Sequence, residues 1–217
     1  MPLDEAVKSR LEETLRQPAG GGTPGPRLVD DAHRLWKTVE RIRQLSSSVD
    51  LIDAEGLELA CFALQLPFAH RRGATTSKLG RLNLRQRCQQ GTELLVNLLS
   101  GLTPQSALDR VVHILEQTPS RAPALVEARM LADAVNLEDF GILGVVSQII
   151  QLSFASQGVD QLLEGWDSRQ QYGYWEARLK DSFHYAPVRA LAEQRLHDAR
   201  LLIRMLRAEL PDGGAIS

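Results

Sequence analysis

Few side chains in this sequence combine a reactive type with a spacing that chemistry could use. The candidates are the five histidines, the aspartate at 133, two cysteines and one run of cationic residues. Imidazole and carboxylate together can hold a divalent ion or move protons. His33 lies between Ala32 and Arg34, and Asp133 is embedded in the apolar run Met130-Leu131-Ala132-Asp133-Ala134-Val135. A lone buried carboxylate is costly, so Asp133 is expected to have a partner. Arg129, one helical turn earlier, and His33 are the two options; a metal ligand or simple exposure are the others. His33 reads most plainly as a surface or hydrogen-bonded histidine. His70 and His113 could join a metal site, the fuller set being His33, His70 and Asp133, whereas His184 and His197 read as polar-face residues. Cys61 sits in the apolar run Leu59-Ala60-Cys61-Phe62-Ala63-Leu64 and reads as a free buried thiol, as does Cys88. No C-x-x-C pair, H-E-x-x-H, G-x-S-x-G or P-loop occurs, which removes the common zinc, nucleophile and phosphate-loop signatures.

The cationic run carries more information. From Leu59 to Thr92 there is no acidic residue, yet Arg71, Arg72, Lys78, Arg81, Arg85 and Arg87 all fall there. Guanidinium forks suit phosphate oxygens, so Arg71, Arg72, Lys78 and Arg81 form a candidate anion-binding surface. The plainer alternative is a solvated loop neutralised by acids from elsewhere. No aromatic residue follows Phe68 in this run, so the stacking platform that single-stranded nucleic acid uses is missing. The triple glycine at 20–22 has no strand before it and is not a phosphate cradle.

The elements that must position these groups are helical throughout. Apolar residues are 43% and charged residues 24% of the 217, ordinary globular usage that excludes a wholly disordered chain. A net charge of −2 gives no global case for nucleic acid or an anionic membrane. No stretch approaches the ~20 apolar residues of a membrane span, and Met1-Pro2-Leu3-Asp4-Glu5 does not read as a secretory signal. Cytoplasmic placement is the expectation.

Leu3, Val7, Leu11 and Leu15 predict a helix over 3–16, followed by the Gly/Pro-rich segment 17–26. That helix is either a flexible extension or a strap laid on the main body. Helices are expected from Asp30 or Asp31 to Leu45 with Leu35, Val39 and Ile42 inward, and from an Asp53 cap to Pro67. Further ones follow over 89–100, from a Thr103-Pro104 cap to Gln117, and over 124–139. Residues 141–154 are apolar almost all round and predict a central core helix. A stripe of Leu191, Arg195, Ala199, Leu202 and Leu206 predicts the face of a long helix from Pro187 to about Leu210. Between these, 165–185 concentrates Trp166, Tyr172, Tyr174, Trp175, Phe183 and Tyr185. Packing of that connection is the simpler account, and a partner surface the sharper one. The fold class is all-α: 1–27 an N-terminal helix and linker, 28–210 the main helical domain, 211–217 a flexible tail.

Four segments in order resemble the HD superfamily, in its small bacterial members. Glu127 to Gly144 matches a block of the form E-x-x-I-L-Q-D-A-D-R-L-D-A-L-G-A-I-G through Asp133-Ala134, Leu137, Gly141 and Gly144. Asp31-Ala32-His33 with Val39 resembles that family's first helix. Leu57–Leu64 resembles its buried helix ending A-A-L-L-H-D, and Ala192-Glu193-Gln194-Arg195-Leu196 its A-E-x-R-H. The order and spacing agree from about residue 28 to 210.

The resemblance implies an HD-domain-like helical bundle and, in the family, metal-dependent phosphohydrolysis with an H…HD…D ligand set. His33 and Asp133 match the first and last ligands. The central pair is replaced by Leu64-Gln65, or by Gln65-Leu66 if the alignment slips by one. Leucine has no donor atom and glutamine only a neutral amide oxygen. Even an open catalytic zinc site keeps three protein ligands, so neither catalysis nor a metal cofactor is expected. The expected function is a non-catalytic interaction or small-ligand module, sensing an anion or nucleotide, or binding a protein partner. The alternative is a divergent phosphohydrolase with a rebuilt ligand set and a divalent metal.

Overall fold

The computed structural model describes residues 3–17, 27–46, 52–70, 82–154 and 156–210. Among them the chain is a helical bundle with no β-strand, only an isolated Ser100–Thr103 bridge. Eleven helices follow in order: α1 Glu5–Arg16, α2 Arg27–Leu45, α3 Ala54–Ala63, α4 Leu66–His70, α5 Leu84–Leu99, α6 Gln105–Gln117, α7 Val126–Glu138, α8 Ile142–Phe154, α9 Val159–Gln171, α10 Tyr174–Asp181 and α11 Ala186–Glu209. They fall into two compact units, Met1–Val135 and Asn136–Ser217, the division lying near the end of α7.

In the first unit α3 is the centre. Its residues from Gly56 to Ala63, apart from Glu58, are buried, and it packs on α2, α5 and α6. The sequence has no polar face here to offer solvent, so the helix must be enclosed. Asp53 caps it as expected, accepting from the Gly56 N–H at 2.9 Å. The cap is anchored from outside the helix: Arg110 Nε donates to Asp53 Oδ2 at 2.7 Å, and the Asp53 N–H donates to Glu127 Oε1 at 3.0 Å. The helix does not run on to Pro67. It stops at Ala63 and restarts at Leu66, placing proline in a first turn where its missing N–H leaves no helical bond unmade.

α1 is a strap. Asp4 caps it, and Leu3, Val7, Leu11 and Leu15 are all buried, on a helix that lies against α2 and α4. α2 buries Val29 and Ala32 besides the predicted Leu35, Val39 and Ile42. α5 begins at Leu84, five residues before its expected start, because Asn83 and Gln86 form a capping box. Thr103 does not cap α6; its Oγ1 is buried without a hydrogen-bond partner, and Pro104 stands at the N-cap.

In the second unit α8 packs on α9 and α11, and α10 on the same two. The aromatic concentration is core: Trp166, Trp175 and Phe183 are buried. Phe140 meets Trp175 and Phe183 edge-on at 5.4 Å each, and Trp166 lies 5.0 Å from Trp175. Arg178 closes this cluster, donating to Asp139 Oδ2 at 2.9 Å, Tyr174 Oη at 2.8 Å and Asn136 Oδ1 at 2.8 Å. Tyr172 stands 80% exposed and does not join it. Two expectations are corrected. α8 is not enclosed: Ile142, Leu143, Val146 and Ile150 are exposed. α11 buries Val188, Ala192, Leu196, Ala199 and Ile203, so its inward face is turned from the predicted stripe and shares only Ala199 with it.

Candidate functional site

The corner formed by the end of α3 and the turn into α4 holds Leu64 and Gln65, the positions that the sequence resemblance sets against a His-Asp pair. The Gln65 N–H donates to the Phe62 carbonyl at 2.9 Å and the Phe68 N–H to the Gln65 carbonyl at 3.0 Å, which folds the chain back at once. Leu64 and Leu66 are wholly buried and Gln65 is 3% exposed, so either alignment puts non-ligating side chains inside. α5 crosses this corner at Gly91, where a Cβ would stand 2.4 Å from the Ala63 carbonyl oxygen. Only glycine permits so close an approach.

His33, on α2, is half-buried. Its Nε2 lies 3.0 Å from Glu12 Oε1 of the strap, and its ring meets Phe62 edge-on at 5.3 Å. The other oxygen of Glu12 accepts from Arg16 at 2.6 Å. Glu58 on α3 belongs to the same neighbourhood: burial pushes its carboxyl up, Lys8 and His33 pull it down, and Glu40 adds to the rise. Neither Glu12 nor Glu58 stood out in the sequence. The one available signal was register, since Glu12 follows the buried Leu11 and Glu58 interrupts an otherwise enclosed helix.

Asp133 is fully buried and engaged, which removes exposure from its possible roles. Arg129, a suggested partner, leaves its Nε buried without a hydrogen bond. Among the described residues no three His, Cys, Asp or Glu side chains come together in a way that could hold a metal ion, so His33, His70 and Asp133 are not assembled into a site. Neither Cys61 nor Cys88 is in a disulfide and both are buried, and burial pushes the Cys88 thiol up to about 12.

Arg71, Arg72, Lys78 and Arg81 lie outside the described residues. The end of the cationic run does not. Arg85 lines an open groove of about 640 Å³ between α5 and α6, where Glu93, Glu116 and Arg121 also stand, so its charge has acids near it. Arg87 differs. Its guanidinium lies over the Phe68 ring at 5.3 Å, and its Nε is buried with no hydrogen-bond partner. No ion pair to it is formed among the described residues.

No family model matches the chain, and no curated protein matches it significantly. Solved structures do. The crystal structure of Bacillus subtilis YpgQ in complex with ADP is 19% identical over 97% of this chain and 96% of its own, with a TM-score of 0.58. The chain shares the YpgQ fold. A second crystal structure of YpgQ gives 18% identity, 95% and 96% coverage and a TM-score of 0.56. The selenomethionine form gives 17%, 95% and 97%, and 0.57. Among the described residues no helix is long and apolar enough to cross a membrane.

Proposed function

We propose that this chain is a catalytically degenerate bacterial HD-superfamily protein that acts in the cytoplasm as a sensing module for a small anionic ligand of the nucleotide class. The observation that carries the reading is the enclosed Leu64-Gln65 corner. A divalent ion there would meet an alkyl group and a neutral amide where the family supplies imidazole and carboxylate. The first-ligand histidine is already bonded to Glu12, so the residues present do not suit the family's metal, and no hydrolytic step is derived through one.

Ligand class follows from charge. Arg87 carries a partly desolvated guanidinium with an unfilled donor, at the end of a run holding five more cations and no acid. Phosphate oxygens are the groups such donors take best. That YpgQ is solved with ADP makes a nucleoside diphosphate the first compound to try. The test is calorimetric titration of purified protein with nucleoside mono-, di- and triphosphates at low and moderate salt, with and without Mn²⁺, followed by product analysis. Binding without turnover is expected. It should weaken as salt rises and be lost in Arg87→Ala and in Arg71→Ala/Arg72→Ala. Stoichiometric tightly bound metal with nucleotide turnover would replace this reading by a phosphohydrolase with a rebuilt ligand set; absence of binding at low salt would refute the sensing role.

A further inference from the structure

Arg87 is oriented by a residue of α4, and α4 depends on the strap. α4 has five residues, Leu66–His70. A single helical turn has no stability of its own in water, so its position is set by what it packs on, which is α1, α3 and α5. Leu66 and Pro67 are buried and Phe68 is half-buried. The Arg87 guanidinium lies over the Phe68 ring, 5.3 Å from its centroid. A cation is attracted to a ring face, and the ring also fixes the plane of the guanidinium fork. Phe68 is thus a positioning residue for Arg87, and the strap is one of the supports of the helix that carries it.

Among those supports the strap is the one that can leave without opening the core. α3 is enclosed by α2, α5 and α6, and α5 packs on both α3 and α6. α1 has 12 residues, and an isolated helix that short is marginal in water. Docking is what keeps it folded. Leu3, Val7, Leu11 and Leu15 are buried, Glu12 Oε1 lies 3.0 Å from His33 Nε2, and Glu58 takes a hydrogen bond from the Leu3 backbone with Lys8 close by. Undocking therefore exposes the stripe and melts the helix together, which gives the strap two states. α1 ends at Arg16, and the sequence 17–26 that follows holds four glycines and three prolines, a helix-breaking composition.

We infer that the strap and the anion site are coupled: an anion on Arg87 favours the docked strap, and release of the strap weakens the anion. The inference rests on the anion-binding reading above and gives that sensing module its output. An anion gains most from a fork that is already fixed. The fork is fixed while Phe68 is, and Phe68 is fixed while α4 is supported. By linkage the factor is the same in both directions. Such coupling spans about 5–150-fold. Because α3 and α5 still hold α4 when the strap leaves, the low end, about five- to tenfold, is expected.

Hydrogen exchange of the full chain, followed by mass spectrometry with ADP as the probe at low salt, reads one direction. Saturating ADP should slow exchange of the α1 amides about five- to tenfold. Leu11→Asp reads the other, by setting a charge at a wholly buried position. Its α1 amides should exchange as an unfolded segment, and calorimetric titration should show ADP bound more weakly by the same factor. Phe68→Leu keeps the burial and removes the ring, so ADP should still bind, more weakly, with α1 exchange no longer responding. ADP bound to the wild type with α1 exchange unchanged overturns the inference and leaves the anion-binding reading standing. No ADP binding at low salt refutes that reading, and the coupling falls with it. A full α1 response in Phe68→Leu overturns the route through α4. If Leu11→Asp fails to fold, the wild-type exchange result decides.

Discussion

Replacing Gly91 by alanine sets two opposed effects against each other at the corner that carries Leu64 and Gln65. Alanine is favoured over glycine in a helix interior by about 1 kcal/mol, and Gly91 lies well inside α5. Against this, the new methyl would stand 2.4 Å from the Ala63 carbonyl oxygen and 2.9 Å from its carbon. Both are backbone atoms of α3, which is held on several sides by α2, α5 and α6. Ordinary contact requires the two helices to separate by about 1 Å, and overpacking of that kind costs about 1–3 kcal/mol. A clash this deep against backbone atoms places the cost in the upper part of that range, about 2–3 kcal/mol, so the steric effect wins and leaves Gly91→Ala less stable by about 1–2 kcal/mol.

Gly165 is the internal control. It also lies inside a helix, α9, but its Cβ would meet only the Arg169 guanidinium end at 3.4 Å, so Gly165→Ala should keep most of the propensity gain. Thermal unfolding followed by far-ultraviolet circular dichroism distinguishes them. At about 2–4 °C per kcal/mol for a chain of this size, Gly91→Ala should lower Tm by roughly 2–8 °C and Gly165→Ala should raise it slightly. A Gly91→Ala protein as stable as Gly165→Ala would refute the account of the crossing, because it would mean α5 and α3 part freely.

Asp133→Ala should destabilise by about 3 kcal/mol in urea titration by stranding whatever the buried carboxylate engages, with Asp133→Asn costing less; equal, near-zero shifts would contradict its burial. Glu58 should make folding less favourable as pH rises. Its folded-state affinity for a proton is raised, so its favourable contribution is complete below its unfolded pKa and is lost as pH climbs through the folded one. Glu58→Gln should therefore gain stability at pH 7, and the gain should vanish below the ordinary glutamate value of 4.5. Neither cysteine should react with iodoacetamide in the native protein at pH 8, since Cys61 is inaccessible and the Cys88 thiol is held protonated; both should react in urea, and native-state labelling of Cys88 would show its surroundings to be open.

Where local signals were singular, the sequence located the element. Asp53 precedes an apolar run and caps it, and the leucines of α1 share one face and bury it. Where several patterns coexist, it did not orient the element. In α11 two stripes run one residue apart, and the buried one passes through Ala192 and Ala199, small side chains that hydropathy underrates and close packing favours. α8 is apolar on every side and has no period to read, so nothing local says which side faces the core. The aromatic concentration at 166–185 was visible as composition, but a core cluster and a partner surface draw on the same residue types. Contacts between side chains distant in sequence, such as those of Arg178 with Asn136 and Asp139, separate the two.

The candidate site was half legible for a related reason. That 64 and 65 carry neither imidazole nor carboxylate is a property of residue type and could be read directly, whereas the partner of His33 depends on where a separate helix docks. A half-buried imidazole without a metal still needs a hydrogen-bond partner for its ring nitrogens. The strap delivers one because its buried stripe, Leu3, Val7, Leu11 and Leu15, fixes its rotation. Glu12, next after Leu11, is thereby held at the edge of the contact, where it reaches His33 on one side and Arg16 on the other. In the proposed reading the carboxylate thus stands against a nitrogen that the family gives to an ion, and the arrangement binds the strap to α2 by a polar contact as well as by apolar burial. On that reading the corner serves structure rather than ligand holding, and recognition falls to the cationic segment that follows α4.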